Sequence, residues 1–417
     1  MVAAKGGYRF LNNKKVTHAG ITAIEREATR QRIAEAEEPV ILAVQDTTEF
    51  NFAGRPALSG LGVLSDNRTP GFMAHTTLSV SVEGLPLGVL DQQVWSRPVA
   101  TEKVANHHQT LPITEKESFK WLQGLSGALP ASKSVITVCD REGDVYELFQ
   151  YAHDVEQHFI VRATRDRNLK DAPTLKKQLA QIPVSQTYTI LVRRQDNRPA
   201  REATVELRMT SVTIKPPKNR TKALQVIPLE PLTVQVVEVV EVNTPADVTK
   251  PIHWILLTTL AVNNLEDARR IVRYYGYRWL IERFHYVLKS GGCHFEDSQL
   301  RSVEALHRLL GICSQVAWRL LWLTYQARQT PDADCTVALS TVEWQALMAF
   351  ATKSPTPPEQ PPSLREAVRA IAKLGGFIGR KSDGEPGVKV LWRGWIRLQD
   401  IVETWLLTHP YQDVGNA

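Results

Sequence analysis

Two short runs of uninterrupted, largely β-branched apolar residues constrain this chain most. Val40 to Val44, within PVILAVQDTTEF, and Ser134 to Cys139, SVITVC, lack polar alternation, so each reads as a strand buried in the middle of a sheet. Both runs end on an aspartate. The first stops at Gln45 and Asp46, which predicts Asp46 at the carboxyl end of its strand, and the second stops at Asp140. Strands end where solvent begins, so aspartates at neighbouring strand ends can meet there.

The segments around these runs supply the rest of an α/β order. HTTLSVSVEG and PLGVLDQQVWSR alternate like antiparallel strands meeting at Glu83 and Gly84. Thr114 to Ala128 and Glu142 to His153 have helical patterns, and His158 to Arg165 reads as a further strand. Strand, hairpin, helix, strand, helix, strand is the order of an RNase H-like mixed sheet. From Asp166 to about Pro251 the pattern becomes alternating runs such as TYTILVRR and REATVELRM, separated by RRQDNRP and KPPKNR, which predicts an antiparallel β insertion with basic loops. Trp254 to Thr259 then returns to the main sheet. Val303 to Arg328 is a long apolar helix, SPTPPEQPPS from Ser354 suits a linker, and the chain closes with helices around LGGFIGRK and LWRGWIRLQDIVETWLL. The expected division is 1–38 as short helical pieces around a turn-bounded GGYRFLNN, 39–165 and 252–330 as the two parts of a core, 166–251 as the insertion, and 331–417 as a helical region.

Between the second part of the core and its long helix lies YYGYRWLIERFHYVLK, Tyr274 to Lys289. Wound at about 100° per residue, Tyr275, Arg278, Glu282 and Lys289 fall within roughly 60° of arc, and Tyr277, Leu280, Ile281, Phe284, Val287 and Leu288 form an apolar band opposite. Asn264 with Asp267 resembles a capping box, and Ser290-Gly291-Gly292 can end the helix, so its predicted limits are about 264 and 290. A surface helix with an ordinary solvated Arg278–Glu282 pair is the plain alternative.

Composition narrows the setting. Fifty Lys and Arg against 44 Asp and Glu give a net charge of +6, a modest excess that favours polyanionic partners. Cys139, Cys293, Cys313 and Cys335 are widely separated, with neither CxxC pairing nor His at metal-ligand spacing, so no disulfide framework or zinc site is indicated. No apolar run approaches the roughly 20 residues that span a bilayer. A cytoplasmic protein without a membrane partner is expected.

The spacing Tyr-x2-Arg-x3-Glu-x6-Lys at Tyr275, Arg278, Glu282 and Lys289 resembles the signature of the YREK subgroup of bacterial insertion-sequence transposases, cut-and-paste enzymes of the DDE superfamily. DTTEF and VCDREGD resemble the segments around that family's two metal-binding aspartates. The resemblance implies a metal-binding and catalytic triad of Asp46, Asp140 and Glu282, holding two Mg or Mn ions for phosphoryl transfer. Asp144 and Glu49 are the nearest competitors. It further implies phosphate contacts from Arg278 and Lys289, a DNA contact from Tyr275, and another from Arg162 in HFIVRATR. Trp254 stands where the family places a tryptophan that stacks on a flipped base, although a core Trp fits the same position. Where the family often has a second lysine, this chain has Tyr286.

The implied function is metal-dependent DNA transposition, with strand nicking, hairpin formation and strand transfer, acting on transposon ends and target DNA near the nucleoid. The tryptophan-rich terminal segment, with Trp392, Trp395, Ile396, Ile401 and Trp405, resembles the family's dimer contact and implies a homodimer. Relatives place an end-recognising helical domain before the segment that GGYRFLNN resembles, so residues 1–38 are expected to be the remnant of that region. The alternative is accordingly a truncated inhibitor that pairs with a full-length transposase.

Overall fold

A computed structural model describes residues 2–99, 111–125, 133–192, 200–217, 229–246 and 248–409. Two amino-terminal helices, α1 (Val2–Leu11) and α2 (His18–Glu35), precede strand β1 (Val40–Asn51). The segment GGYRFLNN, expected as a turn-bounded piece, lies largely inside α1. There follow β2 (Gly62–Val63), β3 (Pro70–Ser81), β4 (Pro86–Trp95), α3 (Phe119–Leu125), β5 (Ser134–Cys139), α4 (Tyr146–Asp154) and β6 (His158–Arg162). The β3–β4 turn falls at Glu83-Gly84 as predicted. Gly84 has φ +85°, and a Cβ there would meet the Tyr277 ring at 2.5 Å, so a left-handed turn and a close aromatic neighbour both call for glycine. The helix expected over Thr114 to Ala128 is a short 3-10 turn at Ile113–Glu115 followed by α3, and its last three positions lie outside the described residues.

The insertion contributes α5 (Leu175–Leu179), β7 (Gln186–Val192), β8 (Arg201–Ile214) and β9 (Leu232–Glu241), before β10 (His253–Thr258). RRQDNRP and the end of KPPKNR, the predicted basic loops, lie outside the described residues. The insertion strands do not form a sheet of their own. They pair antiparallel in the order β10-β9-β8-β7 and extend the main sheet, whose full order is β2-β3-β1-β5-β6-β10-β9-β8-β7 with β4 on β3. β1, β5 and β6 run parallel to one another; the other pairings are antiparallel. This is the RNase H-like mixed sheet expected from the sequence.

Strand parity sorts the core into two layers. Ile136, Val138, Ile160 and Leu256 pack with Leu280, Ile281 and Phe284, whereas Cys139, Phe159, Val161, Ile255 and Leu257 pack with Trp121 and Phe149. Helices thus cover both faces, which is why the central strands lack regular polar–apolar alternation.

The carboxyl-terminal half consists of α6 (Leu265–Gly276), α7 (Trp279–Tyr286), α8 (Val303–Gln329), α9 (Thr341–Thr352), α10 (Leu364–Leu374) and α11 (Val388–Thr408). The proline-rich stretch joins α9 to α10 and is tied down at its end, where Cys335 N–H donates to the Pro362 carbonyl at 3.1 Å. LGGFIGRK ends a helix rather than forming one, because α10 stops at Leu374 and Gly376 has φ +94°. Where α10 crosses α11 the backbones nearly touch. A Cβ on Gly375 would meet the Val390 carbonyl at 1.9 Å, and one on Gly394 the Ile371 carbonyl at 1.8 Å.

Candidate active site

Asp46 does not end its strand. β1 continues five residues farther because Asp46 to Asn51 pair with Gly71 to Thr76 of β3, and what ends here is β5. The parallel register of β1 and β5 runs to Val44 opposite Val138, and carrying it two residues onward sets Asp46 beside Asp140. Beyond that point the β5 side of β1 is open. Its N–H groups turn to side chains: Thr47 N–H donates to Asp46 Oδ1 at 2.9 Å and Asn51 N–H to Glu296 Oε1 at 2.8 Å. Asp140 caps a 3-10 turn by accepting from Glu142 N–H at 2.8 Å.

The third carboxylate comes from above the sheet. Asn264 caps α6 by accepting from Asp267 N–H at 3.0 Å, and Asp267 accepts in return from Asn263 N–H at 3.0 Å. Such caps contribute about 1 kcal/mol. The predicted single helix is three consecutive pieces. Tyr277 and Arg278 form a tightened turn, with Arg278 N–H donating to the Tyr275 carbonyl at 3.0 Å and Leu280 N–H to the Tyr277 carbonyl at 2.9 Å. After α7 the backbone widens into a π-turn at Val287–Gly291, which passes close over the Tyr286 ring at Gly291. The helix stops at Gly291-Gly292, as predicted.

This broken helix points its polar residues at the sheet rather than at solvent. Arg278 pairs with Glu282 and approaches Asp46 Oδ2 at 4.0 Å. Burial opposes the Arg278 charge, but Tyr275, Glu282 and Asp46 outweigh it and raise its pKa. Asp46 is pushed up to about 7 by burial, then by Asp140 and Glu282, against the opposing pull of Arg278 and the Thr47 N–H. Burial is the larger cause, and the like-charged neighbours add to it.

Tyr275 is buried, and its hydroxyl meets the Arg162 guanidinium. Its ring stands 5.1 Å from that of Trp254, edge to face. Arg162 is fixed by donating to the His253 carbonyl at 2.7 Å. Trp254 is half-buried rather than sealed in the core. Six of the eight predicted residues therefore form one connected group, and Trp254 extends it through Tyr275. Lys289 does not join it: carried by the π-turn, its Nζ lies 4.0 Å from Glu296 and 5.5 Å from the Phe50 ring centroid.

The two competitors have structural occupations. Asp144 is buried and accepts from Thr164 N–H at 2.8 Å, Arg165 N–H at 3.0 Å and Arg167 Nε at 2.9 Å, so its carboxylate is fully used holding the chain after β6. Glu49 accepts from Ser65 N–H at 3.0 Å and anchors the loop there.

Two nearby residues escaped sequence reasoning. His285 is buried, with Nδ1 3.8 Å from Asp46 Oδ2 and Nε2 without a hydrogen-bond partner among the described residues. Burial, Lys289 and Arg278 push its pKa down to about 3, so it is neutral. The spacing 278, 282, 285, 289 placed it on the stripe in plain view. Lys120 is buried on α3, 5.1 Å from the Trp95 ring centroid and 3.8 Å from Glu142. Burial lowers its pKa while Glu142, Glu117 and Asp46 oppose that. Tertiary contact alone reveals it.

An all-carboxylate donor set from separate elements suits a hard divalent cation, and the elevated Asp46 pKa is the strain such a cation relieves. It is not a ready-made cage: no three His, Cys, Asp or Glu among the described residues converge as one, and Glu282 is engaged by Arg278.

Residues 99–318 match the family model of the transposase DDE domain, and residues 315–415 match that of the transposase Tn5 dimerisation domain. The first match covers more than half of the chain, which belongs to the DDE transposases. It contains Asp140 and Glu282, while Asp46 precedes it. No helix among the described residues is long and apolar enough to cross a membrane.

Proposed function

We propose that the chain is a cut-and-paste DNA transposase of the YREK subgroup, with Asp46, Asp140 and Glu282 as its metal-binding carboxylates. The observation that carries this reading is the strand register, which sets Asp46 beside Asp140 under the Arg278–Glu282 pair. Two divalent ions, Mg or Mn, when bound there, supply an activated water or 3′ hydroxyl and stabilise the leaving oxygen.

The chain's own residues arrange the DNA. Thr47 N–H holds the Asp46 carboxylate in place, and the Glu142 N–H does so for Asp140. Arg278, whose guanidinium pairs with Glu282 here, would offer a planar fork to a phosphate next to the cut. Arg162 and Tyr275 form a second polar contact on the same side. Trp254, half-exposed beside them, provides a face for an unstacked base during hairpin formation. Lys289 supports the phosphate path from its separate place near Glu296. The enzyme acts at the nucleoid as a homodimer through the carboxyl-terminal helices, where Ile396 and Leu407 are exposed.

The test is cleavage of duplex DNA bearing the element's own ends with Mg or Mn present. Asp46→Ala, Asp140→Ala and Glu282→Ala should each abolish nicking while DNA binding persists. Retention of nicking in any of the three variants, each purified free of wild-type enzyme, would falsify the triad assignment.

A further inference from the structure

The turn that ends the signature helix lies against α8, and two cysteines meet across that contact. Gly292 and Cys293 follow the π-turn directly, with Cys293 N–H donating to the Val287 carbonyl at 2.9 Å. A Cβ on Gly292 would stand 3.7 Å from Leu320 Cδ1 of α8. Cys313 lies seven residues before Leu320, two helical turns away on the same face. Its carbonyl accepts from the Cys293 thiol at 3.6 Å. Both of these cysteines are half-buried, whereas Cys139 and Cys335 are sealed in the core.

The two sulfurs are not equivalent. When the Cys293 proton leaves, the Cys313 thiol donates to the Cys293 sulfur. That hydrogen bond lowers the pKa of Cys293 against burial, and it raises the pKa of Cys313, as burial also does. Cys293 is thus the group that becomes a thiolate, and Cys313 beside it keeps its proton. Cys293 also stands on irregular chain, between the π-turn and a 3-10 turn at Phe295–Asp297, and the next residue, His294, is exposed with φ +47°. Its side chain can turn without disturbing a helix, whereas Cys313 is fixed within α8. A rotating thiolate next to a fixed thiol is an arrangement in which an S–S bond of about 2.0 Å can close.

We infer that Cys293 and Cys313 form a peroxide-responsive thiol pair, whose disulfide staples the end of the signature helix to α8. The Cys293 thiolate attacks one oxygen of hydrogen peroxide and the O–O bond breaks. A sulfenic acid forms, and the departing hydroxide takes up the proton that Cys293 gave away. The Cys313 sulfur then attacks the Cys293 sulfur; the S–S bond forms as the S–O bond breaks, and the hydroxide that leaves takes the Cys313 proton. Two electrons pass from the sulfur pair to one peroxide, which ends as two waters. Lys289 lies on the stapled turn, four residues before Cys293, whereas Glu282 lies on α7. The pair involves none of Asp46, Asp140 and Glu282, so it stands or falls independently of the catalytic reading.

The probe is hydrogen peroxide in graded doses, applied to the full chain in chelator and followed by alkylation and tryptic digestion without reductant. Peptides 290–301 and 309–319 should appear joined, two hydrogens lighter than their sum, in a species that migrates as a single chain on a non-reducing gel. Dithiothreitol should separate them. In Cys313→Ser, Cys293 should accumulate as a sulfenic acid that dimedone captures, whereas in Cys293→Ser the Cys313 thiol should survive the same dose. The wild-type map decides the pair without either variant. Absence of the joined peptides overturns it, whether both thiols survive or either passes to a sulfinic acid, as does a joined species found only between two chains. Dimedone captured on Cys313 in Cys293→Ser overturns the assigned roles. Amide exchange over Val287 to Cys293 should slow several-fold in the oxidised chain and recover with dithiothreitol. Equal exchange in the two forms would overturn the staple.

Discussion

Arg278 reaches one helical turn along the chain to hold the carboxylate of Glu282, so the residue proposed to complete the metal site is engaged by a cation of its own helix. Divalent ions bound at the proposed site would compete with Arg278 for the same oxygens. In the DNA-free protein Arg278→Ala should raise Mn affinity about tenfold, equivalent to about 1.4 kcal/mol, while nicking of DNA falls. Calorimetric titration with Mn decides this; an unchanged affinity would mean that the pair exerts no hold on Glu282.

Asp140 and Asp144 should separate cleanly. Asp144→Ala strands Arg167 among Phe149 and the chain after β6, an unpaired buried charge that costs about 3 to 5 kcal/mol. Asp140→Ala removes only a cap on a short turn, about 1 kcal/mol. Denaturant unfolding of the two variants should show the larger loss for Asp144→Ala, and the reverse order would reassign the pair.

Acid should weaken the fold through the amino-terminal contact with α8. His307 is half-buried between His18 and Phe72, and burial, His18 and Arg308 push its pKa down to about 4 against Glu304. Burial likewise lowers the pKa of His18, against Gln92 and Asp91. Both rings are favoured neutral in the fold, whereas the unfolded chain takes up protons near pH 6.5. The His307 contribution is therefore complete above about pH 6.5 and is lost as pH falls toward 4, at up to roughly 1.4 kcal/mol per pH unit, and His18 acts in the same direction. His307→Gln should flatten the unfolding free energy against pH in that window. An equal slope in variant and wild type would show that His307 is not held neutral.

The crossing of α10 and α11 tolerates no side chain at Gly394. Gly394→Ala must push the helices apart, at a cost of about 1 to 3 kcal/mol, and should shift both the unfolding midpoint and the dissociation constant of the dimer. Sedimentation at several concentrations reads the second. If the midpoint drops and association is untouched, the crossing supports this chain's fold without shaping the contact surface.

Much of this was legible in residue patterns, and the failures have physical causes. Runs without polar alternation found β1 and β5, because both faces of these strands are buried. Asn264 and the paired glycines found both ends of the signature helix, because caps are local. The strand past Asp46 was missed because Thr47, Thr48 and Glu49 look like the start of a loop, and only β3 makes them a strand. Asp144 stood behind Asp140 only because it is not at the strand end, and what occupies it, Arg167, is distant in sequence. The Lys289 stripe failed because a projection at constant pitch cannot foresee a tightened turn and a π-turn on one helix. Lys120 left no local trace, since its place depends on Trp95 and Glu142 arriving from separate segments.

The end of β5 opposite the middle of β1 has a consequence for how such a cleft can change. Its wall is the run of β1 that outlasts β5 by six residues, about 20 Å of extended backbone. Depth is thus a length counted in residues, and exchange of side chains along the wall alters its lining but not its reach. Only insertion or deletion does that: two residues added to β5 would carry Asp140 about 7 Å past Asp46. The separation of the two aspartates is fixed by the number of residues in each strand, so it resists point substitution and is vulnerable to a shift of register.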